Sequence, residues 1–366
     1  MNIQQWKYPF VWVVIAFIFH LAPLALPVTG YSGEYLPGRV HEDLGGKNDP
    51  SDYQLFTAYF ENDVFADTDE HYTNAFKLTW LTRNIDRYEE ILPSWSNRTA
   101  NRIPMVRQSG PDEDVAHNIG FSVGHNIYTP ENTEKESLIA KDRPYAGWLY
   151  GSIALHRKKA ESLNTFELTV GIVGPSAYGE DIQNSVHEYA DVSTAKGWDN
   201  QLRDEPGILL SWQQSLKMST FDYGGAQFDF IPNYGITLGN VFTYANLGGE
   251  ARFGFNVPDD FGTSLIRPGS NLSSPLKPPE KSSDSGVHVF VGAEGRAVLQ
   301  NIFLDGNTWK DSHSVDKNHF VADMYAGLAF TWRRFRLAYT HAFRTPEFDN
   351  QDDGQQFGSI NLSYSF

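Results

Sequence analysis

The chain has no cysteine among its 366 residues, which excludes a disulfide scaffold, a thiolate metal site and a thiol nucleophile. Basic residues are also few, because 29 Lys and Arg face 45 Asp and Glu and give a formal net charge of -16. Binding to a phosphate backbone needs a basic surface, so this balance argues against nucleic acid as a partner. The same charge is compatible with divalent cations and with a cation-rich, lipopolysaccharide-type surface.

Long apolar runs are confined to the N-terminus. Lys7 precedes the run Pro9–Leu26, in which His20 is the one polar residue, and small residues follow. This order is typical of a secretory signal peptide over residues 1–30, and a retained membrane anchor is the alternative. After Gly30 no apolar run approaches the ~20 residues that a transmembrane helix needs, so a membrane domain in the rest of the chain would have to be a β-barrel.

The rest of the chain has the pattern of an all-β protein. Residues 31–52 contain Gly, Pro and charge without periodicity, and we expect an exposed linker there. From Tyr53 onward, apolar and polar residues alternate in segments that Gly, Pro, Asn and Asp bound, as in β-strands. The pattern predicts twelve strands, an even number as in closed bacterial barrels. We place them at about 53–62, 72–83, 115–125, 145–158, 163–173, 205–219, 223–241, 246–256, 286–302, 318–332, 334–346 and 356–366.

The final segment has the clearest alternation, with apolar side chains at Ile360, Leu362, Tyr364 and Phe366 and small polar ones at Ser359, Asn361, Ser363 and Ser365. One apolar and one small-polar face suit a strand between lipid and a polar lumen. A terminal Phe in such a strand also resembles the end of bacterial outer-membrane barrels. The alternative is a soluble sandwich or lipocalin-like barrel with its apolar face inward. The signal peptide and the aromatic content favour a twelve-stranded antiparallel transmembrane β-barrel.

The topology assigns every connection to one of two rims. With both termini in the periplasm, the connections 63–71, 126–144, 174–204, 242–245, 303–317 and 347–355 share the outer rim. The opposite rim receives tight turns and two long segments, 84–114 and 257–285, where short turns are usual. Partly ordered plugs or miscounted strands would explain these two segments.

The stretch Glu61–Asn74 joins the first two predicted strands and is dense in hard oxygen donors. They are the carboxylates of Glu61, Asp63, Asp67, Asp69 and Glu70, the amides of Asn62 and Asn74, and the hydroxyls of Thr68 and Thr73. Calcium prefers such ligands. A solvated acidic hairpin loop has much the same composition, and the spacing is not that of an EF-hand. The stretch alone therefore leaves both interpretations open.

The connection 174–204 contains a second candidate, because Glu180–Ala190 has helical spacing with His187 one turn after Gln183. A short loop helix on the barrel wall could point His187 at the acidic stretch. An imidazole with a pKa near 6.5 is the natural general base at neutral pH, although a surface-helix histidine is more often a bystander. The chain has no G-x-S-x-G motif, so water activated by His, with a metal polarising the carbonyl, is the economical nucleophile. Among the other histidines, His125 could line the site, His71 could be a metal ligand, and His156 falls at the opposite rim.

Several motifs, in this order, resemble the outer-membrane lipid A 3'-O-deacylase family. They are Glu61–Phe65 with Tyr72–Asn74, Asp142–Gly147, Gly174-Pro175 with Gln183 and His187, and Gly197–Gln201. The resemblance extends from about Tyr53 to Phe366. It implies a Gram-negative outer-membrane barrel domain over 53–366, with its site at the outer-leaflet or extracellular rim and lipid A of lipopolysaccharide as partner. It also implies hydrolysis of 3'-linked acyl chains with Ca²⁺ and without a nucleotide cofactor.

The resemblance also implies roles for individual residues. His187 would activate water, Asn62, Asp63 and Thr73 would form the calcium and oxyanion region, and Lys135 would hold a phosphate or the oxyanion. Lys141 is the alternative to Lys135. The chain departs from the family where an acidic residue can follow the loop histidine, since Ser193 and Thr194 stand there after Asp191. A phospholipase A-like esterase and a non-catalytic porin or structural barrel are the alternative functions.

Overall fold

The computed structural model describes residues 53–63, 71–108, 115–190, 193–218, 221–263, 265–266 and 285–366; for 71–73 and 189–190 it describes the backbone alone. The predicted signal peptide and linker lie outside these residues. Among the described residues, no helix is both long and apolar enough to cross a membrane.

The described chain is dominated by antiparallel strands, and each of the twelve predicted strands has a counterpart. The strands are β1 (Leu55–Asn62), β2 (His71–Leu81), β3 (Ala116–Thr129), β4 (Ala146–Lys159), β5 (Ser162–Val173), β6 (Glu205–Leu216), the short β7 (Phe221–Tyr223), β8 (Ala226–Gly239), β9 (Phe242–Phe255), β10 (Ser285–Asn301), β11 (Phe320–Trp332), β12 (Phe335–Arg344) and β13 (Gln355–Ser365).

These strands close into a barrel. Each long strand pairs with its sequence neighbour, β1 pairs with β13, and β6 pairs with β8. The short β7 extends the hairpin between β6 and β8. The fold is therefore a closed twelve-stranded antiparallel β-barrel, as predicted.

Two strand boundaries at the loop ends of β3 and β9 differ from the prediction by four residues. β3 continues past 125 to Thr129, because Asn126, Ile127 and Tyr128 still pair with β4. The predicted connection 242–245 belongs to β9, whose residues there pair with both β8 and β10. The connection between β8 and β9 is thus a turn at 240–241.

The two faces of the wall have opposite chemistry. Outward side chains are apolar and exposed, as at Leu168, Leu328 and Phe330, whereas inward ones are polar and buried. In β13 the predicted polar face, Ser359 to Ser365, is buried, while Tyr364 and Phe366 are exposed. Inward hydroxyls also pair between strands, as in Thr57 with Ser363 at 2.9 Å. This is the alternation of a wall between lipid and a polar lumen.

Part of the β9–β10 connection lies inside the barrel. Asp260 is fully buried and forms ion pairs with inward-facing Arg252 and Arg336. The backbone N–H of Ile266 donates to the carboxylate of Glu61 on β1, at 2.6 Å. The described residues 257–266 therefore form a lumen plug, which accounts for the first part of the predicted segment 257–285.

The β2–β3 connection behaves differently, because it packs on the outside of the barrel. It contains the 3₁₀ helix Tyr88–Glu90 and helix α1 (Trp95–Ala100). Tyr88 is buried among residues that include the outward-facing Ile119 of β3. The longest helix described, α2 (Gly179–Ala190), lies in the β5–β6 connection, and the single turn α3 (Ile302–Asp305) follows β10.

Candidate active site

One rim of the barrel carries the connections that were predicted to share it. They are 63–70, 130–145, 174–204, 240–241, 302–319 and 345–354, which follow strands of the same direction. We call this end the loop rim. The opposite rim has the tight turns 160–161 and 333–334 together with the two long connections.

At the loop rim, four residues form a row across the outer face of four adjacent strands. Asn62 of β1 is the Cα partner of Asn74 on β2, Asn74 of Ile127 on β3, and Ile127 of Gly147 on β4. Directly paired residues point to the same face. That face is the outer one, because the exposed Val123 of β3 has the same parity as Ile127.

The backbone is irregular next to this row. In the pairing of β2 with β3, Tyr72 faces Tyr128 and Asn74 faces Ile127, so Thr73 is an extra residue in a β-bulge. Bulges redirect side chains and are frequent beside active sites. The predicted site residue Thr73 therefore occupies a bulge directly before the outward position of Asn74.

Helix α2 begins directly against the row. A Cβ added to Gly147 would lie 3.1 Å from the backbone N of Gly179, the first residue of the helix. A Cβ added to Gly179 would lie 2.7 Å from the ring of Trp198. The two glycines thus let the helix approach the outer wall more closely than other residues would allow, and α2 packs against both β3 and β4.

A small apolar cluster holds the loops to the outer wall. It consists of Ile127, Tyr145, Ala195 and Trp198, all buried, with the rings of Tyr145 and Trp198 4.9 Å apart. The indole N–H of Trp198 donates to the buried amide oxygen of Gln183 on α2, at 3.0 Å. Trp198 is therefore a packing anchor, and the cluster ties α2 to the wall.

His187 lies one turn after Gln183 and is 8% exposed. Its Nδ1 is 2.7 Å from the carbonyl oxygen of Ser193. A carbonyl oxygen can only accept, so Nδ1 carries the proton and the neutral imidazole has its lone pair on Nε2. This is the tautomer that a general base requires, and it is set by the backbone of the residue at which the sequence departs from the family pattern.

The predicted oxygen donors Asn62 and Asp63 are buried at the end of β1. Asn62 is 4% exposed and Asp63 is 0% exposed. An amide and a carboxylate oxygen are suitable donors for Ca²⁺, although they are fewer than the six to eight that the ion takes. Asp67, Asp69 and Glu70 lie outside the described residues. In the part of the chain that is described, no three His, Asp or Glu side chains are grouped closely enough to hold a metal ion.

The connection 130–145 brings Lys135 to the same group of loops. A Cβ on Gly197 would lie 2.8 Å from the carbonyl oxygen of Lys135, and the N–H of Lys196 donates to the carbonyl of Thr133 at 2.9 Å. The Lys135 side chain is exposed. Its backbone is therefore placed beside the segment that leads to Trp198, while the role of its amine stays a prediction.

The motif Asp142–Gly147 turns the chain from this loop into β4. Both oxygens of Asp142 accept backbone N–H groups, from Glu131 and from Arg143. Arg143 is buried and forms an ion pair with Glu347 at 2.8 Å. Burial alone would raise the pKa of Glu347, but the guanidinium groups of Arg143 and Arg344 outweigh it and hold that pKa below its usual range. The motif therefore has a structural role. Asp142 and Arg143 hold the loop, and Gly147 at the end of the motif leaves room for the start of helix α2.

Two of the other histidines considered from the sequence, His125 and His156, have structural positions. His125 of β3 is hydrogen-bonded to the carbonyl of Ala177, at 2.7 Å, and so fastens the start of the α2 segment to the wall. His156 lies near the opposite rim, as predicted, where Nδ1 contacts the hydroxyl of Thr165 at 3.0 Å. His71 is the first residue of β2, and its side chain is not among those described.

The model of the protein family described as "Outer membrane protein LpxR" matches residues 18–366 of the chain. The chain belongs to the LpxR family. LpxR from Salmonella typhimurium superposes with a TM-score of 0.66 at 18% identity, over 85% of this chain and 99% of that one. At this identity the likeness shows the fold. No curated protein sequence matches.

A second solved barrel is also similar to this LpxR-family chain. The β domain of the Bordetella autotransporter BrkA has a TM-score of 0.39 and 9% identity, and covers 86% of this chain and 98% of its own. Family and fold place the chain in the bacterial outer membrane and support an enzyme that modifies lipid A.

Proposed function

We propose that this LpxR-family chain is an outer-membrane esterase that removes 3'-linked acyl or acyloxyacyl chains from lipid A, with His187 as general base. The observation that carries the proposal is the hydrogen bond from His187 Nδ1 to the carbonyl of Ser193, 2.7 Å long, on a helix seated against the outer wall at the loop rim. It leaves Nε2 available to accept a proton.

The register of the strands supports a location of His187 over Asn62 and Asn74. Helix α2 starts against β4 and also packs on β3. The eight residues from Gly179 to His187 rise about 12 Å, while neighbouring strands are about 4.8 Å apart. A helix that crosses the wall from β4 over β3 thus brings His187 to the level of β2 and β1. The chemistry would then take place on the lipid side of the barrel.

In the proposed reaction, Nε2 of His187 takes a proton from water as the water oxygen attacks the ester carbonyl carbon. The carbon–oxygen bond to the sugar then breaks, and His187 returns the proton to the leaving sugar oxygen. The products are a free carboxylic acid and a 3'-hydroxyl. General base catalysis of this kind typically contributes about 10²–10⁴-fold.

Asn62, Asp63 and Thr73 would hold Ca²⁺, with further oxygens from water, the substrate or residues 64–70. The ion when bound supplies positive charge to the ester carbonyl and to its developing oxyanion. Electrostatic stabilisation by one oxyanion donor is typically worth ~3–4 kcal/mol. The exposed amine of Lys135 would bind a lipid phosphate or assist at the oxyanion.

The proposal is tested by mass spectrometry of lipid A from cells that express the chain or its variants. His187→Ala should leave a folded barrel and lower deacylation by about 10²–10⁴-fold. His341→Ala is the matched control, because His341 is half-buried on β12 and contacts Gln356. Full activity of His187→Ala would reject the assignment.

Two further arms separate the remaining parts of the proposal. Exhaustive EGTA treatment should abolish hydrolysis, and Asp63→Asn should imitate this effect without a change of side-chain size; activity that persists after EGTA rejects the calcium site. Release of fatty acid from phosphatidylethanolamine vesicles would favour the phospholipase alternative. Conductance of the unmodified protein in a planar bilayer would favour a porin, which the buried plug around Asp260 opposes.

A further inference from the structure

The β2–β3 connection has features that the hydrolase does not require. We call its described residues 83–108 the collar. Its first residues continue the pairing of β2 with β3, since the N–H of Ile85 donates to the carbonyl of His117 at 2.9 Å. Because His117 and Ile119 are the second and fourth residues of β3, the collar lies at the rim opposite the loop rim.

The collar packs on the outer face of the wall. Its buried residues Ile85, Tyr88 and Ala100 contact Ile119, with Phe121 of β3 and Leu155 of β4 at the edge of the cluster. The Tyr88 hydroxyl contacts the carbonyls of Val106 and His156, at 3.2 and 3.1 Å. Burial raises the pKa of Tyr88, so the hydroxyl keeps its proton and can donate. The collar is therefore fixed on a surface that elsewhere faces lipid.

The outer side of the collar combines an exposed indole with arginines. Trp95 is 65% exposed and Ile91 is 41% exposed. Five arginines are exposed here in a chain whose net charge is -16: Arg83, Arg87, Arg98, Arg102 and Arg107. An exposed Trp beside clustered Arg is typical of a segment at the boundary between lipid and water.

The acidic residues of the collar do not neutralise these arginines. Glu89 pairs with Arg87 at 3.1 Å, and Glu90 accepts the backbone N–H groups of Asp86 and Arg87. Among the described residues, the other four arginines have no carboxylate within ion-pair distance. Guanidinium geometry matches phosphate oxygens, so these four groups suit a phosphate ligand.

Aromatic and apolar side chains of the outer wall lie next to the collar. Phe121 stacks on Trp80 of β2 with ring centroids 5.4 Å apart, and Ile153 of β4, its Cα partner, is 42% exposed. The apolar wall next to the collar and the collar arginines at the rim together match a phospholipid. Its acyl chains would lie on the wall and its phosphate at the rim.

We propose that the collar binds the headgroups of anionic glycerophospholipids in the leaflet at this rim, through Arg83, Arg98, Arg102 and Arg107, with Trp95 inserted at the interface. With the loop rim facing outward, this is the periplasmic leaflet. The surface lies at the far end of the barrel from His187, so the proposal is independent of the hydrolase chemistry. It gives the enzyme a fixed depth and tilt in the bilayer.

The test is native mass spectrometry of the full-length protein in detergent with added phosphatidylglycerol or phosphatidylcholine. The wild-type protein should retain phosphatidylglycerol in preference to phosphatidylcholine. Each arginine near an anionic surface contributes about 1 kcal/mol, so Arg98→Gln with Arg102→Gln should weaken retention by roughly 25-fold. Trp95→Ala should weaken retention of both lipids.

The matched control removes two positive charges from the same rim, at the turn between β11 and β12 and away from the collar. Arg333→Gln with Arg334→Gln serves, because these side chains lie over the rings of Trp332 and Tyr53. Retention should stay at the wild-type level in this control. If Arg98→Gln with Arg102→Gln impairs folding, Arg83→Gln with Arg107→Gln gives the same test. Equal retention of the two lipids by the wild-type protein, wild-type retention by a folded collar variant, or equal losses in the collar and control variants would overturn the proposal.

Discussion

The contact between helix α2 and the wall at Gly147 allows a sharp test of whether the position of His187 matters. In Gly147→Ala, the new Cβ would lie 3.1 Å from Cβ of Ala177 and from N of Gly179, and 3.2 Å from Cα of Gly179. Carbon atoms in optimal contact are about 3.5–4.0 Å apart. The start of the helix, which is backbone and cannot rotate away, therefore has to retreat by roughly half an ångström.

The size of the expected effect follows from this displacement. A misplacement of 1 Å can lower a catalysed rate by about 10²-fold, so half that distance predicts roughly a tenfold loss of lipid A deacylation. The packing penalty is about 1–3 kcal/mol and falls on the loop rather than on the barrel. The measurement is mass spectrometry of lipid A at matched levels of folded protein.

Gly151→Ala is the control, because Gly151 is the next-but-one outward position on β4. A Cβ there would lie 3.6 Å from the carbonyl oxygen of Ser122, an ordinary contact. Its activity should equal that of the wild-type protein. Undiminished activity in Gly147→Ala, or an equal loss in both variants, would refute the claim that the seat of α2 positions the catalytic group.

Three further predictions concern the supports of the site and the plug. Trp198→Phe leaves the buried oxygen of Gln183 without its donor, a cost of about 1–3 kcal/mol that should appear as faster proteolysis of the α2 loop and reduced deacylation. Glu347→Ala leaves the buried Arg143 without this carboxylate partner and should destabilise the protein by about 3–5 kcal/mol in thermal unfolding. The double variant Arg143→Met with Glu347→Leu should recover most of that loss. Burial alone would raise the pKa of Asp260, but its two arginine partners hold that pKa below its ordinary value. The stabilisation from the Asp260 carboxylate is therefore complete above the ordinary pKa of about 3.9 and is lost as the pH falls further. Asp260→Asn should conduct in a planar bilayer at pH 7, and a variant without conductance would contradict the plug.

The barrel was predictable because its signal is local. Alternation with period 2 predicted every long strand, and the faces of β13 agree residue by residue with the assignment of Ser359 and Tyr364. Boundaries were less predictable where pairing rather than hydropathy decides them. β3 reaches Thr129 because the strands on both sides continue, and a single strand's sequence does not contain that information.

The two long connections at the rim opposite the loops were not predictable in the same way. The plug depends on Asp260 meeting Arg252 and Arg336, and the latter lies 76 residues further along the chain. The position of the collar depends on the packing of Tyr88 against Ile119 and on its contact with the carbonyl of His156. Neither segment has a period, so only the folded barrel reveals that one enters the lumen and the other lies outside.

The candidate site was partly predictable from the sequence. Its strongest signal is a departure from the apolar pattern of the outward positions. Outward positions of this wall are apolar, yet Asn62 and Asn74 occupy two adjacent ones at the loop rim. A polar group facing lipid is costly, and such groups in membrane segments mark functional sites. Asn62 is nevertheless 4% exposed, so protein covers it. The lumen is filled by ion pairs and the plug, whereas the outer wall is where an acyl ester anchored in the membrane can arrive. A polar row on the outer face, with helix α2 seated at its β4 end, therefore fits the proposed esterase, whose substrate would arrive from the side of the bilayer.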